Sequence, residues 1–359
     1  MNKSHPVTKL RAIGIDVGFF STKFTTGRTA EGVSRSAVPA DQFPSIAPFQ
    51  HVDAQGPADT ARRDGVRVIV DGVAHYVGKD TLLESGGFGT TAVAPDYSTT
   101  TAYKALFRGA LHMIARANDA QGDLVIEMLV GGLPMASYDE FKGHLEAFML
   151  GPHVMPHPAD RNRELTVTIS RAKVLGQPQG SLVNHQLSRG VKFSSGQMNL
   201  VLDLGGGTFD WFVAREAQGS RSRSGSAPIG ALACASAVCA QIKDGHQHSP
   251  LIMSRVDEAL RTGAQTVTIS GVAHNIADYA PTVKGILIDA LQQMRKSAGN
   301  IAEMDTILFT GGGARLLYAV AQEQLAQFKQ VFAIDQDAVI SNVRGFHFWA
   351  EHLRASRGA

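Results

Sequence analysis

Two stretches of the chain are written to one plan, and that duplication limits the folds open to it more than any other feature. Ala12 to Gly27 reads AIGIDVGFFSTKFTTG, and Asn199 to Ala214 reads NLVLDLGGGTFDWFVA. Each opens as a short apolar strand, closes it on an aspartate, places glycine two positions later, turns, and resumes the alternation of a second strand. Both are therefore expected to be hairpins with a carboxylate at the tip. The two aspartates, Asp16 and Asp203, lie close to half the chain length apart. The expected architecture is two similar lobes, each presenting an acid-tipped hairpin, and a facing pair of tips would define a cleft.

Between the hairpins the pattern alternates strand and helix. Val66 to Val77 reads as a hairpin turning at Asp71-Gly72, Leu124 to Val130 as a buried strand, and Leu165 to Val174 as another strand. Helical periodicity marks Thr101 to Ala117, Tyr138 to Met149, Ala231 to Ile242, Pro281 to Ala298 and Leu316 to Phe328. Thr306 to Thr310 is a strand running into Gly311-Gly312-Gly313. This alternation predicts an α/β fold with mainly parallel inner strands. At 359 residues one core has stopped growing, so two lobes are also the expectation from size. Gly219 to Ser226, GSRSRSGS, reads as a solvated basic hairpin tip.

Composition excludes several classes of function. With 34 Lys and Arg against 32 Asp and Glu, the formal charge is +2, so no global field draws the chain onto nucleic acid or an acidic membrane. Cys234 and Cys239 sit in an apolar run at a spacing that fits neither a zinc knuckle nor a redox pair, and are expected to be core thiols of a reducing cytoplasm. No apolar stretch is long enough to span a bilayer, and MNKSHPVTKLRA lacks the apolar region of a signal peptide. A soluble, cytoplasmic protein with no membrane contact is expected. His246 and His248 have no ligand-like company at metal spacing and belong to a surface loop. Gly72 to Asp80, GVAHYVGKD, fails as a P-loop because five residues separate its glycines and Asp80 stands where a metal-binding hydroxyl is needed. No HExxH or GxSxG is present, which leaves zinc peptidase and serine hydrolase chemistry without support.

The remaining signals converge on phosphate. Glycines in Asp203-Leu204-Gly205-Gly206-Gly207-Thr208 let backbone N–H groups approach an anion without interference from Cβ atoms. Gly311 to Gly313 follow a strand and precede a helix, where orphan N–H groups and the helix dipole favour negative charge. Two such turns suit a polyphosphate. Carboxylates beside them would meet phosphate only with repulsion, so Asp16 and Asp203 make sense as holders of hydrated Mg²⁺. The ligand this implies is a magnesium nucleotide.

Taken together, Asp16 to Lys23 (DVGFFSTK), Asp203 to Asp210 (DLGGGTFD) and Leu308 to Leu316 (LFTGGGARL) resemble the phosphate-1, phosphate-2 and adenosine motifs of the actin, Hsp70 and sugar kinase ATPase superfamily. Within it the chain is most similar to the ParM/StbA plasmid-segregation actins. That likeness rests on Phe43-Pro44-Ser45, Tyr76-Val77-Gly78-Lys79-Asp80, Gly132-Leu133-Pro134 and Asn342-Val343-Arg344-Gly345-Phe346, in the family's order.

The resemblance implies an actin-like ATPase fold, with two duplicated ribonuclease H-like lobes flanking a nucleotide cleft. Lobe I would cover residues 1–182, with a smaller subdomain at about 30–95 and the C-terminal helix 343–359 packing back. Lobe II would cover 183–342, with a smaller subdomain at about 243–285. By the same resemblance Asp16 and Asp203 would arrange Mg²⁺ waters, and Gly205, Gly206, Gly207 and Thr208 with Gly18, Phe19, Phe20 and Ser21 would clasp the β and γ phosphates of ATP or ADP. Lys23 would reach the phosphates, and Gly311, Gly312, Gly313 and Ala314 would support the α phosphate and the nucleoside. Val174 to Leu182, VLGQPQGSL, is similar to the family's first connector, whose Glu or Gln orients the attacking water. Gln177 is the expected residue and Gln179 the competing one; positioning is most of what such a loose transition state requires. Where relatives often carry Ser or Thr after the first Asp, this chain has Phe19 and Phe20, and Ser21 or Thr22 would have to supply a hydroxyl.

The function this implies is filament assembly with ATP, destabilisation on hydrolysis, and plasmid DNA segregation through a DNA-binding adaptor at a centromere-like site. Two other members of the superfamily give rival expectations. One is a monomeric Hsp70-like nucleotide-gated module, although only a short tail follows Phe346. The other is a small-molecule kinase, for which no substrate-side carboxylate stands out.

Overall fold

The computed structural model of the chain describes residues 6–27, 38–50, 64–85, 93–160, 162–188 and 194–356. Parts of the subdomain expected at about 30–95, namely 28–37, 51–63 and 86–92, lie outside the described residues. The chain forms two compact units, one of Met1–Leu133, Ser137–Leu175 and Val343–Ala359, the other of Pro134–Ala136 and Gly176–Asn342.

The first unit contains β1 (Thr8–Val17), β2 (Ser21–Thr25), β3 (Ala40–Pro44), β4 (Phe49–Gln50), β5 (Gly65–Val70), β6 (Val73–Gly78), α1 (Thr81–Glu84), α2 (Thr101–Ala117), β7 (Leu124–Leu133), most of α3 (Met135–Met149), β8 (Gly151–Pro156), β9 (Glu164–Ile169) and β10 (Ala172–Gly176). The second contains α4 (Gln177–Ser188), β11 (Met198–Leu204), β12 (Phe209–Arg215), β13 (Gln218–Ala227), α5 (Ala231–Ile242), α6 (Pro250–Thr262), β14 (Thr266–Ile269), β15 (Val272–Asn275), α7 (Ala280–Ala298), β16 (Thr306–Thr310), α8 (Ala314–Gln324) and β17 (Phe332–Ile334). The last helix, α9 (Ser341–Ala355), starts in the second unit and runs into the first.

The duplication read from the hairpins extends to whole sheets. In the first unit the strands run β3-β2-β1-β7-β9, with β8 beyond and β10 also on β7; in the second they run β13-β12-β11-β16-β17. In both, the first two pairings are antiparallel and the next two parallel. The central strands are apolar on both faces because helices cover both faces. In β1, Ile13, Ile15 and Val17 join the cluster that includes Leu106 and Leu111 of α2, whereas Ala12 packs with Phe346 and Ala350 of α9. In β11, Leu200, Leu202 and Leu204 face the large core with α5 and α7, whereas Val201 packs with Leu182 of α4. That contact explains why Gly176 to Leu182, expected in the first lobe, lie in the second unit.

Three local expectations are corrected. Gly219 to Ser226 is an edge strand, β13, paired with β12, and not a free tip. Its Arg223 is committed to structure, donating from Nε to Ala298 O at 2.8 Å and from Nη1 to Glu303 Oε2 at 3.1 Å. Leu165 to Val174 breaks at Ser170 and Arg171 into β9 and β10. Leu316 to Phe328 begins earlier, at Ala314, and gives way to a 3₁₀ stretch from Ala326.

Helix α6 carries its own start and stop signals. Ser249 Oγ accepts from Ile252 N, Pro250 occupies the first turn, and Gly263 leaves the helix at φ +72. α6 carries Asp257 into the core, 5 % exposed. Burial pushes its carboxyl up to about 6, against a smaller opposing effect of Arg261 and with a further push from Glu258. Folded Asp257 keeps a proton that the unfolded chain releases near pH 4, so stability falls as pH rises through the window from there to about 6. The full penalty, about 2–3 kcal/mol by linkage, is present above that window. Asp257→Asn is expected to melt higher than the native protein at pH 7.5 and to lose most of the difference at pH 4.5; equal shifts at both pH values would contradict this. Cys234 and Cys239 are fully buried thiols, as expected, and burial pushes them to about 12 and about 11.

Candidate functional site

The hairpin of the first unit closes where Gly18 N donates to Ser21 O at 3.2 Å. Asp16 pairs in register with Lys23, which puts their side chains on one face. Lys23 Nζ lies 3.4 Å from Asp16 Oδ2, and the aspartate is 2 % exposed. A buried carboxylate is expensive unless paired, and the lysine supplies the pairing charge. The carboxylate is felt nearby: burial first, and Asp16 second, push the Tyr103 phenol well above its usual value.

The two phenylalanines at this tip have a structural explanation. Phe19 stacks on Tyr97, ring centroids 4.9 Å apart, and Tyr97 meets Tyr103 edge-on. Phe20 O accepts from Ser45 N at 2.9 Å. The Phe-Pro-Ser segment thus clamps the turn from the neighbouring strand. Thr22 and Ser45 share a hydroxyl hydrogen bond of 2.9 Å, both fully buried. That removes Thr22 as a source of a ligand-facing hydroxyl, because a period-2 strand points it away from the Lys23 face. Ser21, half-buried and on the lysine's face, is the hydroxyl that remains.

In the second unit Gly205 N donates to Thr208 O at 2.9 Å, closing the corresponding tip. The residue opposite Asp203 is here another acid, Asp210. Like charges opposite one another in a ladder repel, so each needs donors. Asp210 takes Thr208 Oγ1 at 2.7 Å and Met135 N at 2.7 Å. Asp203 Oδ2 takes Asn342 Nδ2 at 2.7 Å. Thr208 spends its only hydroxyl proton on Asp210, so its oxygen can meet a ligand only as an acceptor; any phosphate contact from Thr208 is through N–H. Among the described residues, Gly206 and Gly207 N–H donate to no backbone carbonyl, while Gly205 O and Gly206 O receive Ala231 N and Leu232 N from the start of α5. Gly230 permits this approach, since a Cβ there would fall 2.1 Å from Gly206 O.

The Gly311–Gly313 run packs directly behind this tip. Gly311 adopts φ +86, and a Cβ on it would fall 2.2 Å from Asp203 Oδ1. Gly313 N donates to Leu204 O at 2.9 Å, Gly311 N to Ala338 O at 3.2 Å, and Ala314 N to Gly311 O at 3.2 Å. Three of the four expected N–H donors are thus spent inside the protein, and the cradle narrows to Gly312. Gly311 and Gly313 are glycine so that the tip of β11 and the start of α8 can touch.

Gln177 is the first residue of α4 and is buried. Gln179 Oε1 accepts from Gly176 N at 2.8 Å, holding the entry into the same helix. Gln179 therefore has a structural duty at the oxygen that would receive a water proton.

Each tip, taken by itself, suits a hydrated magnesium ion beside phosphate. The metal-side oxygens come from Asp16 at one tip and from the Asp203–Asp210 pair at the other, and among the described residues no three His, Cys, Asp or Glu side chains gather into a direct metal cage. That is the donor set of an ion keeping its own waters. Both tips are glycine turns, and Lys23 adds a cation for phosphate.

The duplicated sheet with its two acid-tipped hairpins defines a class, the actin-like fold. Residues 14–180 match the family described as actin-like proteins, N-terminal domain, and the fold is actin-like along nearly the whole chain. Among solved structures, the actin-like protein Alp7A superposes with a TM-score of 0.74 at 13% identity, covering 98% of each chain. ParM of Bacillus thuringiensis, solved with ATP, gives 0.66 at 15%, covering 96% of this chain and 99% of its own. The Alp12 filament structure gives 0.60 at 15%, covering 98% and 99%. No curated protein matches the sequence. Among the described residues no helix is long and apolar enough to cross a membrane.

Proposed function

We propose that the chain is an ATPase that binds Mg-ATP with both acid-tipped hairpins, assembles with ATP into filaments, and uses their growth and loss to move plasmid DNA. The observation that carries this reading is the repeated sheet whose central strand ends, in each unit, in a buried aspartate ahead of a glycine turn. A similar protein solved with ATP and another solved as a filament support it. In the proposal Asp16 and Asp203 hold Mg²⁺ through water, Lys23 and the N–H groups of Gly18–Ser21 and Gly205–Thr208 bind the β and γ phosphates, and Gly311–Ala314 lie against the α phosphate and nucleoside. Gln177 orients the attacking water. Assembly couples to nucleotide because a γ phosphate favours one subunit shape over another. A formal charge of only +2 offers phosphate backbones little, so the DNA contact would run through a separate adaptor in the cytoplasm.

The test is pelleting and light scattering with ATP, ADP and no nucleotide. Polymer with ATP alone is the expected outcome; monomers at tens of micromolar in all three would overturn the reading and favour a nucleotide-gated binding module. In the same assay Gln177→Ala should leave nucleotide affinity nearly unchanged, slow phosphate release by roughly 10- to 1000-fold, and prolong the polymer. Gln179→Ala should instead lower the melting temperature. A reversal of those two results would move the water-orienting role to Gln179.

A further inference from the structure

The two tip aspartates, equivalent by position, have partners of different chemistry. Asp16 faces a lysine across its ladder, whereas Asp203 faces a second acid, Asp210. Asp203 also takes an amide from elsewhere in the chain, Asn342 at the start of α9, 8 % exposed.

The orientation of that amide is set by its surroundings. Nδ2 must point at Asp203, because a carboxylate can only accept. Oδ1 accepts from Ser181 Oγ of α4 at 2.6 Å. Ser181, having given its proton to Asn342, accepts from Thr310 Oγ1 at 2.7 Å, at the end of β16. Ser181 and Thr310 are fully buried. A flipped amide would set its oxygen against the carboxylate and lose the bond to Asp203. On its other side Asp203 is bounded by Gly311, which leaves room for Oδ1 only because it lacks a Cβ.

We infer that Asn342 is a positioning residue for the metal-side carboxylate: the relay Thr310–Ser181–Asn342 locks Asp203 in one rotamer and ties it to α4, the helix that begins at Gln177. The inference rests on the magnesium nucleotide reading above. Hydrogen bonds to an ionised group are stronger than neutral ones, and losing a partner that orients a metal-side group typically costs 10- to 100-fold in metal affinity.

A neighbouring amide supplies the control. Asn184, also on α4 and buried, donates to Ser341 Oγ at 3.1 Å, and Ser341 donates to Asp335 Oδ2. It is buried like Asn342 and shares α4 with Ser181, but its hydrogen bond goes to Ser341 and not to Asp203. If buried amides here serve only packing, both should behave alike.

The experiment titrates Mg²⁺ against the full chain carrying methylanthraniloyl-ADP and reads the fluorescence midpoint, with melting temperatures recorded in parallel. Asn342→Ala should raise the Mg²⁺ midpoint about 10-fold or more while nucleotide binding in EDTA stays as in the native protein. Ser181→Ala, which frees the amide to rotate, should shift the midpoint in the same direction by a smaller factor and serves alone if Asn342→Ala does not fold. Asn184→Ala should leave the midpoint in place whatever it does to the melting temperature. A midpoint unmoved in Asn342→Ala or Ser181→Ala, or moved equally in Asn184→Ala, would overturn the positioning role while leaving the nucleotide site standing. A native protein whose nucleotide binding ignores Mg²⁺ would instead remove the site reading itself, and the positioning role with it.

Discussion

Asp203→Asn is expected to slow Mg²⁺-dependent nucleotide turnover by roughly 10²- to 10³-fold while leaving the melting temperature within a few degrees of native. The substitution is nearly isosteric and its side-chain oxygen can still accept from Asn342 Nδ2, the 2.7 Å bond that anchors the native carboxylate. It also removes one of two like charges paired across the ladder, Asp203 and Asp210, which offsets part of any packing loss. The charge itself is what disappears, and with it the electrostatic hold on a hydrated divalent ion. Loss of one preorganised electrostatic group at a phosphoryl-transfer site costs roughly 10²- to 10³-fold in rate. Single-turnover phosphate release at saturating Mg²⁺ measures it. Turnover within a factor of three of native would exclude Asp203 from the metal side, since no screening argument applies to a residue 3 % exposed.

Gly311→Ala is expected to damage stability and metal binding together, and Gly312→Ala neither. A Cβ at 311 would fall 2.2 Å from Asp203 Oδ1 and 2.5 Å from Leu204 O, on a backbone at φ +86. The backbone alone costs about 1–3 kcal/mol for a residue with a side chain, and relief of the clash displaces the carboxylate. At 312 the nearest atom to such a Cβ is Arg261 Cδ, at 3.9 Å, and the backbone is not left-handed. Thermal melts with and without Mg-ADP separate the cases. A drop of several degrees for the 311 variant, with the ligand-induced stabilisation lost, is the expected pattern. Equal melts for the two variants would mean that the glycine run is only a permissive turn.

The tips and their acids were legible because their signals are local. Alternating apolar residues, one aspartate and a following glycine fall within a few positions of one another, and hairpin geometry depends on little else. The duplicated α/β order was legible for the same reason, as was the burial of both cysteines. Gly219 to Ser226 misled because its polar composition is that of a loop, while its state as β13 is set by an open edge of β12 and by Arg223 reaching α7. Phe19 looked like a loss at a phosphate turn, and only its stacking on Tyr97 shows what replaces the missing hydroxyl side chain. Thr22 has the hydroxyl a phosphate turn could use, but its strand face turns it to Ser45.

From its residues alone this chain declares two homologous sheets, each with a carboxylate at the end of its first strand, because pattern and turn chemistry act over short separations. The partners of those carboxylates come from far away in sequence: Asn342 reaches Asp203 across 139 positions and Ser181 reaches Asn342 across 161. No periodicity encodes such a pairing. Which acid stands opposite a lysine and which opposite a second acid with an oriented amide beside it, and which glycines permit a close approach of backbone, follow from how strands and helices pack. Those are properties of three-dimensional neighbours, and folding had to bring them together before they existed.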